Sequence, residues 1–211
     1  VSIGDVNTAI ISQGTNTIAI GSSAGQYTQG SSSVAIGYLA GQYIQGSSSV
    51  AIGVNAGQTN QQTNSVAIGN SAGSTSQGAG GSGLGVAIGY QSGYSGQGNA
   101  SIAIGNASGQ YSQNYSSIAI GPSTGQWTQG FQAVAIGASA AQFSQGNRTV
   151  AIGVQAGYTG QSNYAIALGY QAGKVGQTGY AIAIGNNAGN QNQGVNAIAL
   201  GAGAGNYGQT G

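Results

Sequence analysis

The sequence predicts an all-β fold, a parallel β-solenoid (β-roll) of about 13 coils with 16 residues per coil. Three observations carry this. The tetrapeptide Val34-Ala35-Ile36-Gly37 recurs twelve times, with Ile for Val or Leu for Ile, starting at Ile18, Val34, Val50, Val66, Val86, Ile102, Ile118, Val134, Val150, Ile166, Ile182 and Ile198. Every step is 16 residues except Val66 to Val86, which is 20. The second place is always Ala and the fourth always Gly, so a short alternating β-branched run ends at a fixed bend.

Numbering the motif from its Val or Ile, positions 1 to 3 read as a strand. Positions 1 and 3 share one face and position 2 takes the other. The expectation is that the branched residues at 1 and 3 are buried. Gly at position 4 suits a bend with positive φ. Positions 5 and 6 vary freely (Ser22-Ser23, Tyr38-Leu39, Pro122-Ser123), as at an exposed corner. Position 7 is small throughout, and position 8 is Gly in eleven copies with Ala141 the exception, which suits close backbone packing at a second corner. Positions 9 to 12, such as Gln26-Tyr27-Thr28-Gln29, read as a second, more polar strand. Position 13 is mostly Gly, and positions 14 to 16 are small and polar. Stacked at about 4.8 Å per coil, these segments predict two long parallel sheets in a rod of roughly 60 Å.

Residues 1–17 form an irregular first coil: Val1-Ser2-Ile3-Gly4 is one residue out of phase, while Gln13-Gly14 is in phase. Residues 18–211 form the repeat array, with a four-residue insertion within 79–85 expected to bulge as a loop.

Two columns stand out. Position 12 is Gln in every copy: Gln29, Gln45, Gln61, Gln77, Gln97, Gln113, Gln129, Gln145, Gln161, Gln177, Gln193 and Gln209. Identical amides one coil apart predict a structural hydrogen-bonded ladder. Position 2 supplies Ala19, Ala35, Ala51, Ala67, Ala87, Ala103, Ala119, Ala135, Ala151, Ala167, Ala183 and Ala199. Unbroken and smooth, this column is the expected assembly face for a neighbouring subunit.

Position 10 alternates between aromatic residues (Tyr27, Tyr43, Tyr111, Trp127, Phe143, Tyr207) and Thr, Ser, Val or Gln, which places it outside. The row reads either as a packing seam or as a platform for sugar rings, with Tyr111, Trp127 and Phe143 the candidate glycan contacts. Four Asn-X-Ser/Thr sequons, at Asn99, Asn106, Asn114 and Asn147, fall at corners and are candidate glycosylation sites.

Composition bounds the function. Only Asp5, Arg148 and Lys174 are charged among 211 residues, against about 25% in ordinary proteins. Electrostatic binding of nucleic acid or anionic lipid requires clustered Lys and Arg, so neither partner is expected. No apolar run approaches the roughly 20 residues of a membrane span. There is no Cys, His or Met, so neither disulfides nor thiolate metal sites are expected. General acid–base catalysis lacks His and paired carboxylates, and abundant Ser has no base to activate it. No Gly-Lys-Ser/Thr accompanies Gly80-Gly81-Ser82-Gly83, so a phosphate loop is not read there. The expectation is a non-enzyme with no cofactor and no metal. Gly is abundant, 43 residues, but Pro is single and no Gly-X-Y period exists, which excludes collagen. The strict apolar phase argues against disorder.

The run Ser-Val-Ala-Ile-Gly, at Ser33 to Gly37, Ser49 to Gly53 and Ser65 to Gly69, resembles the head repeat of trimeric autotransporter adhesins, the YadA-type head, and similar repeats in fibre-like proteins of large viruses. The resemblance covers Ile18 to Gly201, over a longer period and with an added Gln-x-x-Gln-Gly half. It implies a left-handed parallel β-roll, trimeric, outside the cell, adhesive or structural. The expected function is therefore an extracellular structural fibre or adhesin-like subunit at the cell or virion surface. Its partner is itself, laterally and end to end, because almost no charge opposes association and neither end reads as a polar cap. The competing reading is a surface module that recognises a cell-surface or matrix glycan through a regular side-chain column. Ice is a lesser alternative, because no position is consistently Thr.

Overall fold

The computed structural model describes residues 1–5, 8 and 11–210; part of the irregular first coil and the last residue lie outside the described residues. The chain is an all-β parallel solenoid of about twelve turns at 16-residue spacing, without helix among the described residues. One wall is a thirteen-stranded sheet whose strands follow one another in sequence order. Strand Val50–Ile52 pairs in register with Val34–Ile36 before it and Val66–Ile68 after it, so Ala51 lies between Ala35 and Ala67. Strand Ser2–Ile3 joins this wall one residue out of phase, Ser2 opposite Ala19 and Ile3 opposite Ile20. The second wall regains the common phase at once, with Gln13 opposite Gln29.

The 20-residue step leaves the long sheet intact, because Val66–Ile68 pairs directly with Val86–Ile88. The extra residues leave through a corner and are tied to both neighbouring coils. Leu84 N–H donates to Thr63 O at 3.1 Å, and Asn99 N–H donates to Ala79 O at 3.1 Å.

The second wall corrects the expectation of two long sheets. It holds a three-stranded and a two-stranded sheet, joined by isolated bridges such as Thr59↔Thr75 and Gln113↔Gln129. Position 11 varies along this wall, and Ser144 is left-handed there, at φ 53°, even inside the strand Phe143–Gln145. Asn60, Ser76, Ser112 and Asn192 sit in the left-handed region at the same position, with φ of 58, 56, 55 and 52°. β-Branched residues avoid that region, and Thr28 and Ile44 remain extended in two of the strands of the three-stranded sheet. Left-handed residues also build two corners of each coil. Position 6 is a non-Gly residue at φ 50–57° in eleven coils, for example Leu39 and Gln91. Position 15 behaves likewise, for example Ala100 and Arg148.

The interior corrects a second expectation. Position 2, not positions 1 and 3, points inward. Each coil sends four side chains inside, from positions 2, 7, 12 and 16; in the coil starting at Val50 these are Ala51, Ala56, Gln61 and Ser65, all with 0% exposure. The Ala column, Ala19 through Ala199, is thus the solenoid's own core, and it cannot be the surface that meets another subunit. The reason is width. A Cβ added to Gly93 would lie 3.2 Å from Ala87 Cβ of the same coil, so the interior has room for methyl groups, one amide and small hydroxyls. Period-2 alternation states which residues share a face, but both faces of Val-Ala-Ile are apolar, so size decides which turns in.

Glycine holds this thin section together at two places. Gly37 adopts φ +128°, and a Cβ there would lie 2.5 Å from Gly53 O of the next coil. Gly57 adopts φ +52°, and a Cβ there would lie 2.7 Å from Gln61 Oε1.

Candidate functional surfaces

The position-12 column is buried from Gln29 to Gln193, with Gln209 half-buried at the end, and its bonding differs from a simple amide ladder. In all twelve coils Nε2 donates to the backbone carbonyl of position 1, eleven residues earlier, as from Gln45 to Val34 O at 2.7 Å and Gln129 to Ile118 O at 2.6 Å. Gln thus crosses the interior and ties the second wall to the first. Amide-to-amide bonds along the stack occur in part of the column, from Gln61 to Gln77 Oε1 at 3.0 Å and from Gln161 to Gln177 Oε1 at 3.2 Å. The Oε1 atoms of Gln45, Gln61, Gln97, Gln113, Gln129 and Gln145 accept no hydrogen bond. Those of Gln45, Gln61, Gln97, Gln113 and Gln129 lie against the position-8 glycines, as Gln61 Oε1 does at Gly57, and the coil of Gln145 has Ala141 there. The column is structural, and its chemistry is turned away from solvent.

A second amide ladder was not singled out from the sequence. At position 9, Gln42 Nε2 donates to Gln26 Oε1 at 2.8 Å and Gln58 Nε2 to Gln42 Oε1 at 3.1 Å. Farther on, Gln126 donates to Gln110 at 2.8 Å and Gln142 to Gln126 at 2.7 Å. Its sequence signal is runs of Gln recurring at the repeat step beside the aromatic position.

In the aromatic row at position 10, Tyr27, Tyr43, Trp127 and Tyr207 are exposed and Tyr111 and Phe143 half-buried, with stacked ring faces turned along the rod. Tyr27 and Tyr43 lie 5.1 Å apart with planes 3° from parallel. Tyr111 and Trp127 stack at 4.7 Å, which covers one face of each. Phe143 meets Tyr158 edge to face at 5.4 Å. Sugar rings dock flat on free aromatic faces, and each stacked pair has one face of each ring covered. A further stack, Tyr164 on Tyr180 at 4.9 Å, runs along position 15. There Arg148 donates from its guanidinium to Gln132 Oε1 at 3.1 Å and to the Tyr164 hydroxyl at 2.8 Å.

Of the sequon asparagines, Asn106, Asn114 and Asn147 are exposed and Asn99 is half-buried. Their hydroxyl partners are committed in three of the four: Ser101, Ser108 and Thr149 are buried and donate to backbone carbonyls. A glycan on those sequons would have to be added before the coil closes.

The surface with the clearest chemistry is the outside of the long sheet. Positions 1 and 3 stand there as two parallel columns of Val, Ile and Leu, half-buried in mid-rod, with Ile68 and Ile152 exposed. Position 5 flanks them with exposed Tyr38, Val54, Tyr90, Val154 and Tyr170. At about 4.8 Å per coil and about 7 Å between alternate residues, the two columns alone cover on the order of 400 Å². That is within the roughly 300–600 Å² of the largest apolar patch on a typical monomer, a patch that is often functional. None of the three charged residues lies on it, since Arg148 is at position 15, Lys174 at position 9 and Asp5 in the first coil.

Among the described residues no cluster of His, Cys, Asp or Glu could hold a metal, and no helix is long and apolar enough to cross a membrane. No protein-family model matches the sequence, and no curated protein matches it significantly.

Proposed function

We propose that this chain is a non-catalytic structural rod, the subunit of an extracellular or surface fibre, and that it associates laterally with copies of itself. The observation that carries the reading is the uncharged double column of branched aliphatic side chains along the outside of the long sheet. Burying such a strip is worth about 25 cal/mol per Å², and with three charged side chains in the chain little electrostatic repulsion opposes it. The contact assigned from the sequence to the Ala column passes to the Val/Ile columns. The likeness of the Ser-Val-Ala-Ile-Gly run to adhesin head repeats supports a place at a cell or virion surface.

The test is sedimentation velocity with electron microscopy at micromolar concentration. Wild type should sediment as an oligomer or fibre. Ile52→Lys with Val86→Lys, both on the outer face, should give 20.3 kDa monomers with an unchanged β-type circular dichroism spectrum. A soluble wild-type monomer under these conditions would refute the assembly. Antibody labelling of intact source cells or particles tests the location, and labelling confined to permeabilised material would reject it.

A further inference from the structure

The four-residue insertion is the one break in the 16-residue period within the repeat array 18–211, and a groove lies beside it. Its volume is about 310 Å³, at the small end of ligand sites of roughly 300–1,000 Å³. Gly96 and Gly98 lie at positions 11 and 13 of their coil, where they line the groove with bare backbone beside the Ala79-Gly80 entry to the loop. Ser112, Asn114 and Tyr115 of the next coil, then Thr128 of the one after, complete it. Tyr115 sits against Gly80, where any Cβ would collide with its phenol, so the insertion and this ring shape each other.

Gln113, which also lines the groove, is committed to backbone carbonyls, but three other side-chain polar groups of the groove are uncommitted. Asn114 uses Oδ1 to accept the Tyr115 N–H at 2.8 Å. Its Nδ2, Ser112 Oγ and Thr128 Oγ1 make no hydrogen bond to described residues, although the backbone around them is paired: Ser112 N–H donates to Ser95 O at 3.0 Å and Asn114 N–H to Gln129 O at 3.1 Å. The groove thus offers hydroxyl and amide groups, an exposed phenol and no charge. Trp127, exposed, directly precedes Thr128.

We propose that this groove binds a neutral saccharide, one pyranose unit of a longer glycan, with Tyr115 as the stacking ring and Asn114, Ser112 and Thr128 as hydrogen-bond partners. A charged ligand would find no counter-charge, and a purely apolar one would leave the free hydroxyls and amide without partners. The site lies at positions 11 to 14 and is separate from the Val/Ile strip, so it does not depend on assembly. It also differs from the position-10 row, whose rings stack in pairs along the rod.

Trp127 is the only tryptophan, so emission excited at the red edge, where the tyrosines do not absorb, reports on this neighbourhood alone. The protein is titrated with cellotriose, chitotriose and mannotriose, each to about 10 mM, the range of weak saccharide affinities, with saturation-transfer NMR alongside. One sugar should give a saturable change in emission. Tyr115→Ala and Thr128→Val should each raise its Kd, the former about tenfold, while Tyr170→Ala, on the far flank, leaves it unchanged. Thr128→Val keeps side-chain shape, so its result stands even if Tyr115→Ala disturbs the loop. No response in either readout to any of the three sugars, or binding equal to wild type in both groove variants, would overturn the proposal.

Discussion

Replacing Ala51 by Leu probes the interior most directly. Ala51 is fully buried, registered between Ala35 and Ala67, with Ala56 and Gln61 as the other large contributors to its layer. The interior is so narrow that, in the coil starting at Val86, a methyl added at Gly93 would lie 3.2 Å from the Ala87 methyl of the same coil. Leu adds three carbons with no cavity to receive them. Overpacking usually costs 1–3 kcal/mol, and here the cost should reach about 3, because the wall moves only by breaking the Gln61 bond to Val50 O. For a chain of this length each kcal/mol lowers Tm by about 2–4 °C, so Ala51→Leu should lose about 6–12 °C. Val54→Leu, at exposed position 5 of the same coil, should stay within about 2 °C. Circular dichroism melts measure both. Since coils interact mainly with their neighbours, damage to the coil starting at Val50 should also broaden or split the transition. Equal melting temperatures for the two variants would show that Ala51 is not confined, and the account of the core would fail.

Two more substitutions probe other parts of the coil. Gln61→Leu keeps volume but removes donors to Val50 O and Gln77 Oε1; it should cost about 2–3 kcal/mol, whereas Gln58→Leu in the outer ladder should cost under about 1 kcal/mol, both read from urea midpoints. Ala100→Gly relieves a left-handed residue at φ 53° whose side chain is exposed; the relief of about 1–2 kcal/mol less the glycine entropy of about 0.5–1 should raise Tm by one to a few degrees, and a fall would show that the corner is not strained.

The sequence by itself determined the period, the strand at positions 1 to 3, the corner glycines and the phase slip of the first coil. Each follows from local chemistry repeated in register: β-branched alternation makes a strand, and a residue without Cβ marks where backbones touch. It also placed the insertion at a corner, since both flanking motifs are intact. Only the tertiary structure decided which face is inside. Val50 and Ile52 are the larger apolar residues, and hydrophobicity alone would bury them. Two walls joined by such short turns leave room for Ala51 and not for them, so packing width overrides apolar area. The same closure turned Gln61 from a rung between like residues into a tie across the core, because the carbonyl of Val50 faces it from the opposite wall. The left-handed corners at Leu39 and Arg148 carry no sequence mark, since their φ is imposed by the closing of each coil on the last. The groove beside Tyr115 joins residues of four successive coils, and a linear reading has no means of bringing them together.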